Sequence, residues 1–213
     1  MRKSPAPPLP SSRSEVASGD LTPVSEGSFL VGFPGRSDSD ANRMAVSLAE
    51  RLLKRRLRGV LDAIPGARTL FVVFDPQARD SAGIVRLLRR LVSERETPSR
   101  ESRLLRIPVA YGGEGGSDLL AVARESGLDP AEVARRHAAA EYRVAFLGFS
   151  PGFAYLTGLP PELAVSRLAN PRPRVPAGSV AIAGEYSAIY PSESPGGWRL
   201  IGRTAVSLFD PGD

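Results

Sequence analysis

Residues 142–156 read YRVAFLGFSPGFAYL, and two later blocks share the texture: PRPRVPAGSV at 171–180 and SPGGWRLIGRT at 194–204. A chain that spends so many Gly and Pro residues in its loops is fixing loop shape. Gly serves where φ is positive or where another backbone approaches closely. Pro freezes φ and lowers the entropy of the free loop. Between these clusters short strands are expected at 141–149, 178–184, 187–190 and 199–208. Many short strands with such turns point to a closed or sandwiched β structure.

Working upstream, Leu104–Val109 reads as a strand and Tyr111–Gly116 as a glycine-rich loop. Ser117 can cap a short helix to Glu125 that Gly127 ends. Asp129-Pro-Ala-Glu132 opens a second helix, running to about His137, with Asp as N-cap and Pro at the first position. The polar run ERETPSRESR at 94–103 reads as a linker. Before it the order is β-α-β-β-α. Ser28–Phe33, Val60–Ile64 and Thr69–Phe74 are the strands; apolar stripes at 41, 44, 45, 48, 52, 53 and 57, and at Ile84, Leu87, Leu88 and Leu91, are the helices. That is a small two-layer α+β unit. The expected division is a disordered Pro/Ser-rich tail over 1–19, an N-terminal domain over 20–98 and a β-rich domain over 99–213.

Composition narrows the chemistry. The chain has 213 residues, 42% hydrophobic and 24% charged, which suits globular domains. It has no Cys and a single His, His137, which excludes disulfides, thiolate nucleophiles and Cys-based metal sites. No metal site is expected in this chain. Only Lys3 and Lys54 are lysines among 28 basic residues, and the net charge is +5. Acidic residues are interspersed and no nucleic-acid motif accompanies the arginines, so nucleic acid is not the expected partner. No run approaches a membrane span, and no apolar segment near the N-terminus marks a secretory signal, so the expected location is cytoplasmic.

Three blocks carry a family resemblance: His137–Leu156, PRPRVPAGSVAIAG at 171–184 and IYPSESPGGWRLIGRT at 189–204. Weaker echoes lie in Ile64-Pro65, Phe74-Asp75-Pro76 and IPVAYGGEGG at 107–116. Together they resemble the KipI family, the B subunit of bacterial ATP-dependent 5-oxoprolinase, also labelled allophanate hydrolase subunit 1. The resemblance covers about residues 20 to 210. It implies an α+β fold: a small N-terminal α/β two-layer domain followed by a cyclophilin-like β-barrel. It also implies a KipA-like (oxoprolinase C) partner, a third (A) subunit, ATP used by the complex, and conversion of 5-oxo-L-proline to L-glutamate. Two alternatives stay open: a KipI-type inhibitor of a sensor histidine kinase, and a urea/allophanate-pathway carboxyltransferase subunit. The chain departs from the family at Glu185-Tyr-Ser-Ala188, where a Gln-Thr-Gly-like step is usual, and it ends at Asp213, ahead of the family's last strand.

His137 is the proton-transfer candidate, because an unperturbed His titrates near neutrality; the competing reading is a helix-end cap. Arg172, Arg174 and Arg203 are the anion-binding candidates, and Trp198 is an aromatic wall. Phe149, Gly152, Ser179, Gly196 and Gly197, in the same blocks, complete the substrate-binding set. Gly112, Gly113, Gly115 and Gly116 are not followed by Gly-Lys-Ser/Thr, so no Walker motif supports ATP binding here. Ser150 lacks a nucleophile-elbow context and reads as loop structure.

Overall fold

The computed structural model describes residues 20–78, 80–94, 103–210 and 212; the segment read as a tail and most of the segment read as a linker lie outside these. The strands and helices are numbered in chain order. In the first half, β4 (Thr69–Phe74) alternates half-buried residues with buried Leu70, Val72 and Phe74. That period of two sets one face of a sheet against a core. β2 (Ser28–Gly32) and β3 (Val60–Pro65) flank β4, both antiparallel to it, and β1 (Asp20–Ser25) completes the order β1-β2-β4-β3. Helix α1 (Asp38–Lys54) connects β2 to β3, which therefore run parallel with β4 between them.

α1 starts where Ser37 Oγ accepts from Asp40 N at 3.1 Å, with Asp38 and Asp40 in its first turn and Arg51 and Lys54 in its last. This charge order follows the helix dipole. α2 (Ser81–Ser93) starts at Asp80, whose carboxylate accepts from Gly83 N at 2.7 Å. Ala45, Leu48 and Leu52 of α1 and Ile84, Leu88 and Leu91 of α2 fill the core over Phe29, Val31, Leu70, Val72 and Phe74. β1 escapes a sequence reading because its residues are nearly all exposed and one is Pro23, as befits an edge strand.

The second half is built on an antiparallel sheet in the order β5-β12-β9-β10-β7-β6. Its strands are β5 (Ala110–Tyr111), β6 (Arg143–Leu147), β7 (Ala154–Thr157), β9 (Ser179–Ala183), β10 (Tyr186–Ile189) and β12 (Arg199–Arg203). β8 (Arg172–Val175) and β11 (Ser194–Gly196) form a separate two-stranded ribbon. β9 is buried along its whole length because both faces of the sheet are covered. Val180 and Ile182 point to helices α3 (Leu119–Ser126) and α4 (Pro130–Ala139), with Val122, Val133, Ile189 and Ile201. Ala181 and Ala183 point the other way, with Ala188, and leave room for Phe153, Tyr190 and Trp198.

Three expectations are corrected. The closed barrel is not what the pairings give: the sheet is open, because β5 is only two residues long and β6 turns its outer edge to α1 and β3. There Asn42 Nδ2 donates to Ala145 O at 3.0 Å and to Gly66 O at 2.9 Å, joining the two halves. Leu104–Val109 is not a strand; pairing begins at Ala110, Leu104 and Leu105 are exposed, and Pro108 has no N–H to donate. The strand expected over 199–208 ends at Arg203. At α4, Asp129 and Pro130 occupy the N-cap position and the first turn as expected, although the Asp129 side chain makes no capping hydrogen bond, and Glu132 binds Arg135 and Arg136.

Candidate functional site

The small residues of β9 and β10 decide where the aromatics gather. Over Ala181, Ala183 and Ala188 sit Phe153, Tyr190 and Trp198, with Tyr155 and Tyr186 packed beside them. Phe153 makes edge-to-face contacts with Tyr190 at 5.3 Å and Trp198 at 5.7 Å, and Tyr155 with Trp198 at 5.5 Å. Phe146 stacks on Tyr155 at 4.3 Å. Such pairs add about 0.5–1.5 kcal/mol each beyond simple burial, so the wall is rigid. Burial pushes the Tyr186 phenol up to about 12, helped by the charges of Glu185 and, from the first half, Asp38. Burial likewise raises Tyr190. Both stay protonated and able to donate.

The Gly148–Phe153 loop brings Phe149 to the rim of this wall. Phe149 is 62% exposed, its ring meets Phe153 edge-on at 5.2 Å, and its φ is 69°. A left-handed backbone at a bulky residue is strained. Gly152 also lies at positive φ, with Phe209 directly above it, where a side chain would collide. Gly196, in β11, faces the Tyr190 hydroxyl at a distance that admits no Cβ. Gly197 accepts from Leu168 N at 2.7 Å. Phe149, Gly152, Gly196, Gly197 and Trp198 are thus assembled around one aromatic face.

The arginines separate. Arg172 donates to Asp118 Oδ1 at 2.6 Å and reaches Trp198 O at 3.4 Å, while Asp118 Oδ2 accepts from Leu200 N at 2.7 Å. Its charge is neutralised, and it ties the β8–β11 ribbon to α3 and β12. Arg174 is largely solvated and lies 3.7 Å from Glu193. Arg203 is exposed and donates to Ala177 O at 3.2 Å; it stands opposite Ser179, which is buried. Sequence reasoning passed over Arg167, whose guanidinium carbon lies 5.7 Å from the Trp198 ring centre. It also passed over Asp118, which occupies the α3 cap position without capping and which only its pairing with a distant Arg reveals.

His137 lies on the other side of the sheet, 5% exposed on the buried face of α4. Its Nδ1 is 2.7 Å from Tyr111 Oη and its Nε2 is 2.9 Å from Ser187 Oγ, which in turn lies 3.3 Å from Ala181 O. One arrangement satisfies every group: Tyr111 donates to Nδ1, Nε2–H donates to Ser187, and Ser187 donates to the carbonyl. Burial pushes the His137 pKa down to about 4, so the imidazole is neutral. Ser187 is 1% exposed. The His–Ser pair is a closed internal link on the opposite face of the sheet from the aromatics.

The glycine-rich loop does not fit a nucleotide phosphate. Gly112 N and Gly116 N already donate to Ile201 O and Gly112 O, and Gly116 presses on the Ile201 carbonyl so closely that no Cβ fits. Among the described residues no cluster of three or more His, Asp or Glu is placed to hold a metal ion, and no helix is long and apolar enough to cross a membrane. Phe153, Tyr190 and Trp198 are each 5% exposed or less, so the cluster is a rigid core and Trp198 is not the open aromatic wall its sequence block suggests; what reaches solvent at its rim is Phe149 and Arg167.

A family model described as carboxyltransferase domain, subdomain C and D, matches residues 20–213. The 5-oxoprolinase B subunit of Escherichia coli O157:H7 is 46% identical over 164 residues, covering 77% of this chain and 74% of that protein. The 5-oxoprolinase B subunit of Bacillus subtilis (strain 168) is 36% identical over 201 residues, covering 88% and 83%. The crystal structure of TTHA0988 superposes with a TM-score of 0.73 at 41% identity over 87% of this chain, which spans only 36% of that longer chain. The chain belongs to the carboxyltransferase-domain family, subdomains C and D, together with the 5-oxoprolinase B subunits.

Proposed function

We propose that this chain is the B subunit of an ATP-dependent 5-oxoprolinase that converts 5-oxo-L-proline to L-glutamate together with a KipA-like C subunit and a third, A subunit. The observation that carries the reading is the 46% identity to a named 5-oxoprolinase B subunit over 77% of the chain. ATP belongs to the complex and not to this chain's glycine loop. The chain acts in the cytoplasm, with residues 20–98 as one domain and 99–213 as the domain bearing the site. The buried His137 holds structure, and the chemistry is completed by the partner subunits.

The test is co-purification of this chain with its C and A subunits, followed by ATP-dependent turnover of 5-oxoproline with and without it. Turnover that requires the chain supports the reading. Unchanged turnover in its absence overturns it.

A further inference from the structure

Positive charge gathers on the helical layer of the first half. Around the C-terminal end of α1 and along α2 stand six exposed bases: Lys54, Arg55 and Arg56, then Arg86, Arg89 and Arg90. Two carboxylates answer them. Glu50 pairs with Lys54 at 2.9 Å, and Glu94 is shared by Arg55 at 3.2 Å, Arg90 at 3.5 Å and the less exposed Arg51 at 2.7 Å. Because Glu94 holds arginines of both helices, the bases form one surface. Their excess of four charges is close to the chain's whole net charge of +5. Among the described residues no carboxylate lies within ion-pair distance of Arg56, Arg86 or Arg89. The residues outside the described ones carry more bases than acids, so the chain holds no acidic surplus of its own for this face.

The fold accounts for only part of this. Lys54 and Arg90 sit in the last turns of their helices, where the dipole favours a cation. Arg86 and Arg89 precede the last turn of α2 and gain nothing from its end. Arg86 and Arg90 are four residues apart on one helix face, where like charges repel. Between them lies a shallow depression lined also by Gly83 and Leu87. Arg56 has a φ of 42°, a left-handed backbone that glycine adopts without strain. An anionic surface laid across both helices would relieve the repulsion and take up these guanidinium donors. Lipid is a poor fit: among the described residues Leu53 is the one large apolar side chain exposed on α1 and α2, too little to insert. Nucleic acid fits less well than protein, because Glu94 stands among the bases and would repel phosphates.

We propose that this basic face docks a carboxylate-rich surface of a companion subunit, with Arg86 and Arg89 as the charges left open for it. The proposal rests on the reading of the chain as one subunit of a 5-oxoprolinase complex. It predicts association that is fast at low salt and slows steeply as salt rises, since exposed charges steer the encounter and are screened by ions.

The experiment measures association of the full chain with the C subunit and with the A subunit, separately, at low and high salt. Wild type is compared with the double variant Arg86→Glu, Arg89→Glu and with its milder form Arg86→Gln, Arg89→Gln. The control is Arg106→Glu, Arg124→Glu, the same charge change on exposed arginines of the second half. For the subunit that docks here, the Glu variant is expected to slow association about 10-fold or more at low salt and to flatten the salt dependence, with dissociation changed much less. The Gln variant should fall between, and the control should stay within about twofold of wild type. Unchanged rates in the Glu and Gln variants, equal slowing in the control, or a wild-type rate indifferent to salt overturns the proposal alone. If the wild-type chain binds neither subunit, the subunit reading fails and the proposal falls with it. Labelled duplex DNA is the rival probe: binding that the Glu variant loses, with subunit association unchanged, gives the face to nucleic acid and overturns the proposal. Far-ultraviolet circular dichroism checks that the variants are folded.

Discussion

Arg172 and Asp118, 54 residues apart in sequence, meet at 2.6 Å, and the same carboxylate accepts the Leu200 amide at 2.7 Å. The pair makes Arg172 a fastener for the ribbon, where its sequence context had suggested an anion clamp. Asp118→Ala leaves a partly buried guanidinium and a buried N–H without partners. A loss of about 3 kcal/mol is expected, because stranding one member of a buried ion pair costs more than removing both. In the double variant with Arg172→Ala the two losses should fall short of additive by about 1–3 kcal/mol. Urea denaturation of the four proteins measures this, and additive losses would mean the contact contributes nothing.

Asn42 is suited to its place because its amide has two protons and meets two carbonyls, Gly66 O and Ala145 O, one from each half of the molecule. Asn42→Asp sets a carboxylate against both oxygens and should destabilise more than Asn42→Ala, for which roughly 1–3 kcal/mol is expected. Trp198 reports only on the second half. Far-ultraviolet circular dichroism, by contrast, reports on both. In the wild type the two unfolding curves should coincide, and in Asn42→Asp they should separate. Coincident curves in the variant would show that Asn42 does not couple the halves.

The fold was legible wherever burial has a period. The stripe on α1 and the alternation of Thr69–Phe74 announce the first sheet, because each element buries one face. β9 was legible for the opposite reason: Ser179–Ala183 is covered on both sides and reads as a continuous small apolar run. β1, β7, β8 and β11 were not, since they are short, exposed or proline-bearing and exist through their partners. The same distinction governs the site. Trp198 and the loop glycines stand in recognisable blocks, but which arginine is neutralised depends on Asp118, far away in the chain. The placement of His137 on the opposite face follows from the alternation of β10, which turns Ser187 toward α4 and Tyr186 and Ala188 toward the aromatics.

His137 should make the protein sensitive to acid. In the folded chain its pKa is pushed down to about 4 by burial, against about 6.5 when unfolded. The unfolded chain therefore takes up the proton more readily. The stabilisation is fully present above about pH 6.5 and is lost as pH falls toward about 4, by about 3 kcal/mol in all. The groups facing the ring are Tyr111, Tyr142 and Ser187, and none supplies a negative charge to stabilise an imidazolium. His137→Gln keeps polar atoms but cannot titrate, so it should lose less stability than wild type between pH 7.5 and 4.5. Denaturant midpoints at the two pH values test this, and equal losses would remove His137 as the cause.

Gly152 joins two separable penalties, which makes its substitution informative. Its φ of 75° is costly for any residue with a Cβ, by about 1–2 kcal/mol. A Cβ there would also strike the Phe209 side chain. Phe209 is 41% exposed, so its ring can be removed without opening a deep cavity. Gly152→Ala should therefore destabilise by more than the backbone strain alone. In a Phe209→Ala background the same change should cost only the strain. Thermal or denaturant unfolding of the two singles and the double gives the difference. Equal costs in both backgrounds would mean that Phe209 does not bear on the loop, and that positive φ by itself explains the glycine.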